Sequence, residues 1–220
     1  MMPGMSPNAT TAVLLLVAYL LGSVSGSLVL GRLRGVDIRQ HGSGNAGGTN
    51  ALRTQGKRFA LGVALIDVGK GTVAAWLALR FAPLTPLLSV TAHGYMAAAA
   101  AVIGHVWPLW HRFRGGKGAA TLIGGMLLLW PWVILPVLLV WGGVLLSTGY
   151  VGLATVATFA GLPVWAWLGD AGPERMWFAA WAALLIAFTH RANLLRLRSG
   201  SESRFERARL LHKLYGRSRH

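Results

Sequence analysis

The chain has 220 residues, 54% of them hydrophobic and 12% charged, yet 21 Lys and Arg against 6 Asp and Glu give it a formal net charge of +15. Soluble domains carry roughly 25% charged residues, so too little polar surface exists here for a basic nucleic-acid binder, and too much apolar content for a disordered chain. Cysteine is absent, which excludes disulfides, thiol nucleophiles and cysteine metal sites, and the composition reads as an all-α polytopic membrane protein.

The spans follow from the spacing of charge. The first apolar run, 12–21, has no Lys or Arg before it and so does not read as a signal peptide. It opens a span at about 12–31. Next come apolar stretches at 59–82 and 87–107, divided by Pro83 and Pro86, and four more at 118–130, 132–147, 150–168 and 174–190. Eighteen of the 21 basic residues lie in three clusters, six at 32–58, three at 112–117 and nine at 191–219. The positive-inside rule puts all three on the cytoplasmic face, so an even number of spans must separate each pair. Seven spans satisfy this, with the N-terminus outside and the C-terminus inside; five is the alternative, because some stretches are short of the ~20 residues a crossing needs. Small residues at Gly22/Gly26, Ser23/Ser27 and Ala97/Ala101 have the spacing of close helix contacts. One integral-membrane domain is expected over 1–205, followed by a basic cytoplasmic tail at 206–220.

Three polar segments interrupt the apolar text. The first, 35–53, places Ser43, Asn45, Thr49, Asn50 and Arg53 among five glycines. Glycines let backbone N–H groups converge on an anion, the Ser, Thr and Asn side chains add neutral donors, and arginine grips phosphate with two nitrogens. A flexible charged loop is the simpler alternative, but it needs no paired Asn beside Ser and Thr. The second segment contains Gly104-His105, Pro108 and then 113–121, where Gly115-Gly116-Lys117-Gly118 opens an apolar helix. A helix start favours an anion through its free amides and dipole, although the spacing is not that of a P-loop. The third runs from Thr189 to Glu202. His190 and Asn193 are three apart, so on a helix they share a face at the cytoplasmic end of the last span. Arg196 and Arg198 could equally meet anionic lipid headgroups. Inside the second span, Asp67 and Lys70 stand at i,i+3, close enough to pair, for structure or for function.

Together these segments resemble the bacterial membrane glycerol-3-phosphate acyltransferases that use acyl phosphate as donor. The first motif of that family is similar to Gly42-Ser43-Gly44-Asn45 through Thr49-Asn50 to Arg53. The second is similar to Gly104-His105, Pro108 and Phe113 through Thr121, and the third to His190, Asn193, Arg196, Leu197, Gly200 and Glu202. Asp67, Lys70 and Gly71 fit a pattern on the family's second helix. The resemblance covers about residues 20 to 205. It implies a seven-helix fold and acyl transfer to the 1-hydroxyl of sn-glycerol 3-phosphate, giving lysophosphatidic acid and phosphate. It further implies that Ser43, Arg53, Lys117, His190 and Asn193 are catalytic. Asn45, Thr49, Asn50, Gly115, Gly116, Gly118 and Thr155 would bind substrate, and Glu202 would hold the fold. Gly152 stands where the family usually has serine, and Gly48 where it often has alanine.

The residue types suit that chemistry. Both substrates carry phosphate, so cationic side chains and backbone amides hold the reactants together. Acyl phosphate is already activated and needs no protein nucleophile, which makes Ser43 a hydrogen-bond donor rather than an acylated intermediate. The hydroxyl proton has two acceptors, His190 and a substrate phosphate oxygen, and the resemblance leans toward the latter. No His-x-x-x-x-Asp sequence occurs, unlike the other large class of glycerolipid acyltransferases. No cofactor or metal is expected, no nucleic acid, and a monomer in the bacterial inner membrane with its site facing the cytoplasm. The rival reading is a carrier of phosphorylated or acidic solutes; carriers place sites near the midplane within related repeats, and no repeat is visible here.

Overall fold

The computed structural model of the protein describes residues 5–85 and 88–205. Among them there is no strand, and the basic tail expected at 206–220 lies outside the described residues. Helix α1 (Pro7–Gly22) starts where Ser6 Oγ accepts the amide of Ala9 and Pro7 supplies a preset φ. It stops at Ser23–Ser25, and α2 (Gly26–Leu33) leaves at an angle of 46°. The single span expected at 12–31 is therefore two helices. A short helix, α3 (Gly48–Gln55), precedes α4 (Lys57–Phe81), whose 25 residues run unbroken through the predicted 59–82. Helix α5 (Val90–Val106) is capped by Ser89, whose Oγ accepts the Ala92 amide, and α6 (Ala119–Leu129) ends before Pro131.

Helix α7 (Ile134–Thr148) follows a short 3-10 turn at Pro131–Val133 and is ended by Gly149 in the left-handed region. Helices α8 (Val151–Ala160) and α9 (Leu162–Leu168) meet at Gly161, and α10 (Pro173–Thr189) opens on Pro173. After His190 the chain bends by 56° into α11 (Arg191–Arg198). Each of the seven apolar stretches read from the sequence thus contains at least one described helix. Among the described residues three stretches, 57–81, 131–148 and 151–168, are long and apolar enough to cross a membrane, and the two bent pairs bring the number to five. With 17 and 11 residues, α5 and α6 fall short of a straight crossing.

The described residues divide into two compact units, one of residues 5–85, 88–131 and 173–178, the other of residues 132–172 and 179–205. In the first, α4 is the central element and packs against α1, α2, α3, α5 and α6. Lipid supplies no hydrophobic drive between helices, so contact depends on backbones approaching closely. Small residues allow it: Ala18, Ala74, Ala78, Ala97 and Ala101 form one buried seam, while Gly71 and Gly124 bring the backbones of α4 and α6 together. A second buried cluster, Leu28, Ile38, Ala46, Ala51, Phe59 and Val63, underlies the first polar segment. In the second unit α8 packs against α7, α9 and α11. Leu61, Leu65, Leu135, Leu139 and Leu184 are each more than 60% exposed, which is the pattern of helices whose solvent is hydrocarbon.

Candidate active site

The first polar segment folds around one amide. Asn50 is buried; its Oδ1 accepts the Ser43 N–H at 2.9 Å, and its Nδ2 donates to the carbonyls of Ile38 at 3.1 Å and His41 at 2.9 Å. This side chain, expected to bind substrate, braces the loop through these three bonds. Thr49 and Arg53, one turn apart on α3, lie on a different face from Asn50. Arg53 and Ser43 are exposed, and Asn45 and Thr49 are half-buried. The loop is tied to the second segment by Arg39. Its guanidinium pairs with Asp37 at 2.7 Å and donates from Nη1 to the carbonyls of His111 at 3.2 Å and Arg114 at 3.3 Å. The hydrogen bond from Arg39 holds the Asp37 carboxyl below the usual carboxylate range. Burial, and then the charges of Arg39 and Arg32, push the His111 imidazole below its ordinary value. Sequence reading missed this tie because an Asp-x-Arg pair in irregular chain has no periodic signature.

The second segment turns back on the end of α5. Arg112 and Phe113 both have positive φ, of 55° and 57°, a conformation non-glycine residues seldom adopt. The amide of Gly115 then donates to the Val106 carbonyl and that of Gly116 to the His105 carbonyl, both at 3.1 Å. These two glycines were expected to offer amides to phosphate; their amides are engaged in the turn. What they provide is room: a Cβ on Gly115 would lie 2.0 Å from the His105 carbonyl oxygen, and one on Gly116 2.1 Å from His105 Nε2 and 2.9 Å from the Ala46 carbonyl. Gly118 caps α6 with φ +93°. The first intrahelical bond of α6 runs from the Leu122 amide to the Gly118 carbonyl, so the amides of 118–121 have no partner within the helix and form its anion-attracting start. Lys117 stands directly before them. First and second segments are therefore brought together, through Arg39 and through Gly116 against Ala46.

The third segment belongs to the second unit. His190 is buried and lies between α10 and α11 rather than within one helix, so the shared helical face expected for His190 and Asn193 is a junction followed by a first turn. Its Nδ1 is 2.9 Å from the Ile186 carbonyl, a bond that requires the proton on Nδ1 and leaves the lone pair of the neutral ring on Nε2. Asn193 donates to Glu202 Oε1, and Arg196 Nε donates to Oε2 of the same carboxylate at 2.7 Å. Glu202, with 8% of its side chain exposed, thus clamps the chain leaving α11. Gly152 lies under Asn193: a Cβ there would sit 2.9 Å from Asn193 Cβ. Thr155, expected to contact substrate, is buried; its hydroxyl donates to the Val151 carbonyl at 2.9 Å and accepts the Trp141 indole N–H at 3.2 Å.

A sequence profile of the family described as "Glycerol-3-phosphate acyltransferase" matches residues 12–200. Among similar curated proteins, the glycerol-3-phosphate acyltransferase of Bacillus cytotoxicus is 38% identical over 195 residues, covering 87% of this chain and 93% of that protein. That of Sinorhizobium medicae is 41% identical over 196 residues, covering 89% and 92%. Among solved structures, PlsY (YgiH), an integral membrane glycerol 3-phosphate acyltransferase in its glycerol 3-phosphate form, superposes with a TM-score of 0.81 at 34% identity, covering 89% of this chain and 95% of that one. Its lysophosphatidic acid form gives a TM-score of 0.79 at 33% identity. The motifs, the helical order and these likenesses agree, and the chain belongs to the glycerol-3-phosphate acyltransferase family.

Proposed function

We propose that this protein transfers a fatty acyl group from acyl phosphate to the 1-hydroxyl of sn-glycerol 3-phosphate, forming lysophosphatidic acid and inorganic phosphate. Family membership along nearly the whole chain supports the acceptor and product. The observation that carries the site is the joining of two phosphate-suited segments, one bearing Ser43 and Arg53, the other Lys117 and the free amides opening α6. In the reaction the O1 hydroxyl attacks the acyl carbonyl carbon, the bond from that carbon to the phosphate oxygen breaks, and phosphate leaves with its electron pair. Lys117, Arg53 and the α6 amides stabilise the charge on phosphate, where fixed dipoles are worth more than mobile water. Ser43 and Asn193 donate hydrogen bonds to reacting oxygens, and Asn45 and Thr49 contact substrate. Gly115, Gly116, Gly118, Asn50 and Thr155 serve binding by shaping the backbone that surrounds it. The hydroxyl proton passes to a phosphate oxygen of the substrate, with the Nε2 lone pair of His190 as the competing acceptor. No cofactor is required, because the donor carries its own leaving group.

The topology proposed with this activity has seven spans, the N-terminus outside and the site at the cytoplasmic face of a bacterial inner membrane, in a monomer. The three basic clusters support it through the positive-inside rule. Purified protein in lipid nanodiscs, given acyl phosphate and glycerol 3-phosphate, should release lysophosphatidic acid and phosphate in equal amounts, and should release neither when acyl-CoA replaces the donor. Absence of product with acyl phosphate sinks the activity; product from acyl-CoA sinks the donor assignment.

A further inference from the structure

Asp67, Lys70 and His105 are 1%, 7% and 3% exposed, so their charges and lone pairs must be satisfied inside the protein. Most of that need is met at the break between α1 and α2. Lys70 Nζ donates to the carbonyls of Gly22 at 2.9 Å and Val24 at 2.8 Å, and Asp67 Oδ1 accepts the Gly26 amide at 3.0 Å. The pair itself is 3.0 Å apart. These contacts account for two ionised groups in a membrane span, since backbone groups freed at a helix break must find partners. They do not account for His105, whose Nδ1 lies 2.8 Å from Lys70 Nζ. Nδ1 also lies 3.5 Å from Asp67 Oδ1. The three ammonium hydrogens are shared among four acceptors, and with Nδ1 as one of them the proton of the neutral ring sits on Nε2. That edge of the ring faces the second polar segment, where a Cβ at Gly116 would lie 2.1 Å from Nε2. The backbone of His105 holds the same glycine, its carbonyl accepting the Gly116 amide.

We propose that Asp67, Lys70 and His105 form a positioning chain for the Gly115–Gly118 turn: Lys70 fixes the His105 ring, and the ring sets the height of Gly116 and with it Lys117 and the amides opening α6. None of the three is a catalytic residue; each acts through the turn. The inference rests on the reading that this turn takes the phosphate of glycerol 3-phosphate.

Kinetics on the full chain in nanodiscs test it. His105→Leu, which removes the acceptor for Lys70, should raise the KM for glycerol 3-phosphate and the inhibition constant of inorganic phosphate about tenfold, with a smaller fall in kcat. His105→Asn, whose side-chain oxygen reaches the place of Nδ1, should return both to within about threefold of the parent. A folded His105→Leu protein with parental constants, or lower thermal stability with unchanged KM, would overturn the proposal. Should His105→Leu not fold, a double-mutant cycle decides. Gly116→Ala presses on Nε2 and on the Ala46 carbonyl and should raise KM about tenfold in the parent, but under threefold in His105→Asn, where the longer 2.9 Å contact with Ala46 alone remains. Equal effects in both backgrounds would mean the ring does not set the turn. The acyl-transfer reading fails separately, if the parent makes no lysophosphatidic acid; phosphate binding measured by calorimetry on the same variants then still reports the turn.

Discussion

At the scale of single residues, chemistry-bearing side chains divide by the face they occupy. Asn50 and Thr49 are adjacent in sequence and looked alike as polar ligands, but a helix turns 100° between them. Asn50 points into the loop and is consumed in three hydrogen bonds, while Thr49 and Arg53 stand on another face. Sequence reading could not show that Asn50 braces the loop, because its partners are two backbone carbonyls and one backbone amide with no sequence identity. Lys117 carries the clearest prediction. If Lys117 holds phosphate as proposed, Lys117→Ala removes a charged contact worth about 1.5–3 kcal/mol, and the KM for glycerol 3-phosphate should rise by about 10- to 100-fold. An unchanged KM would remove Lys117 from the phosphate site. Gly152 makes a second. The resemblance leads one to expect serine there, yet any Cβ would press on Asn193. Gly152→Ala should overpack that contact by about 1–3 kcal/mol and weaken the hold of Glu202 on Asn193. Lower thermal stability with reduced kcat is the expected result, and a wild-type melting curve would show that α8 and α11 can separate at no cost.

At the scale of elements, the broken helices are what hydropathy could not see. Between 12 and 31 no charge interrupts the chain, only the Gly-Ser-Val-Ser-Gly-Ser run at 22–27, and the backbone groups freed at the break find partners 41 to 48 residues away, on Asp67 and Lys70. The bend at His190 likewise has no proline or glycine to announce it. Loop contacts between elements follow the same rule. Arg39 joins two segments through carbonyl oxygens of His111 and Arg114, so the tie survives changes of those side chains but not of their backbone. Its pH dependence can be worked out. The folded His111 pKa lies below its unfolded value, so the unfolded chain binds more protons between the two. The stability this group contributes is complete above about pH 6.5 and is lost as pH falls through the folded value. Asp37, also depressed, keeps its contribution above about pH 3.9 and loses it only in stronger acid. Between pH 7.5 and 5.5 the melting temperature should therefore fall in the parent and fall less in His111→Gln, which keeps the carbonyl that Arg39 uses. Parallel curves would show that the imidazole does not bear on the tie.

At the scale of the whole molecule, charge and span count make one claim. If the three basic clusters lie on one side, the turn near Ser147 faces the cytoplasm and that near Asp170 faces outward. The absence of native cysteine makes the test direct. In intact spheroplasts, Asp170→Cys should react with a membrane-impermeant maleimide and Ser147→Cys only after permeabilisation. Outside labelling at position 147 would replace seven spans by five. Composition pointed to lipid, because 12% charged residues, about half the share of roughly 25% in soluble domains, supply too little polar surface for water. The motifs determined the family, because they fall in the same order and spacing as the known ones. Tertiary structure alone decided that Asn50 braces the loop, that the amides of Gly115 and Gly116 close a turn, and that a buried Asp–Lys–His chain meets that turn through the His105 ring. Each of those outcomes turns on a contact with a group several residues to tens of residues away in sequence. Residue type records that a partner is needed, and only the fold selects which one is within reach.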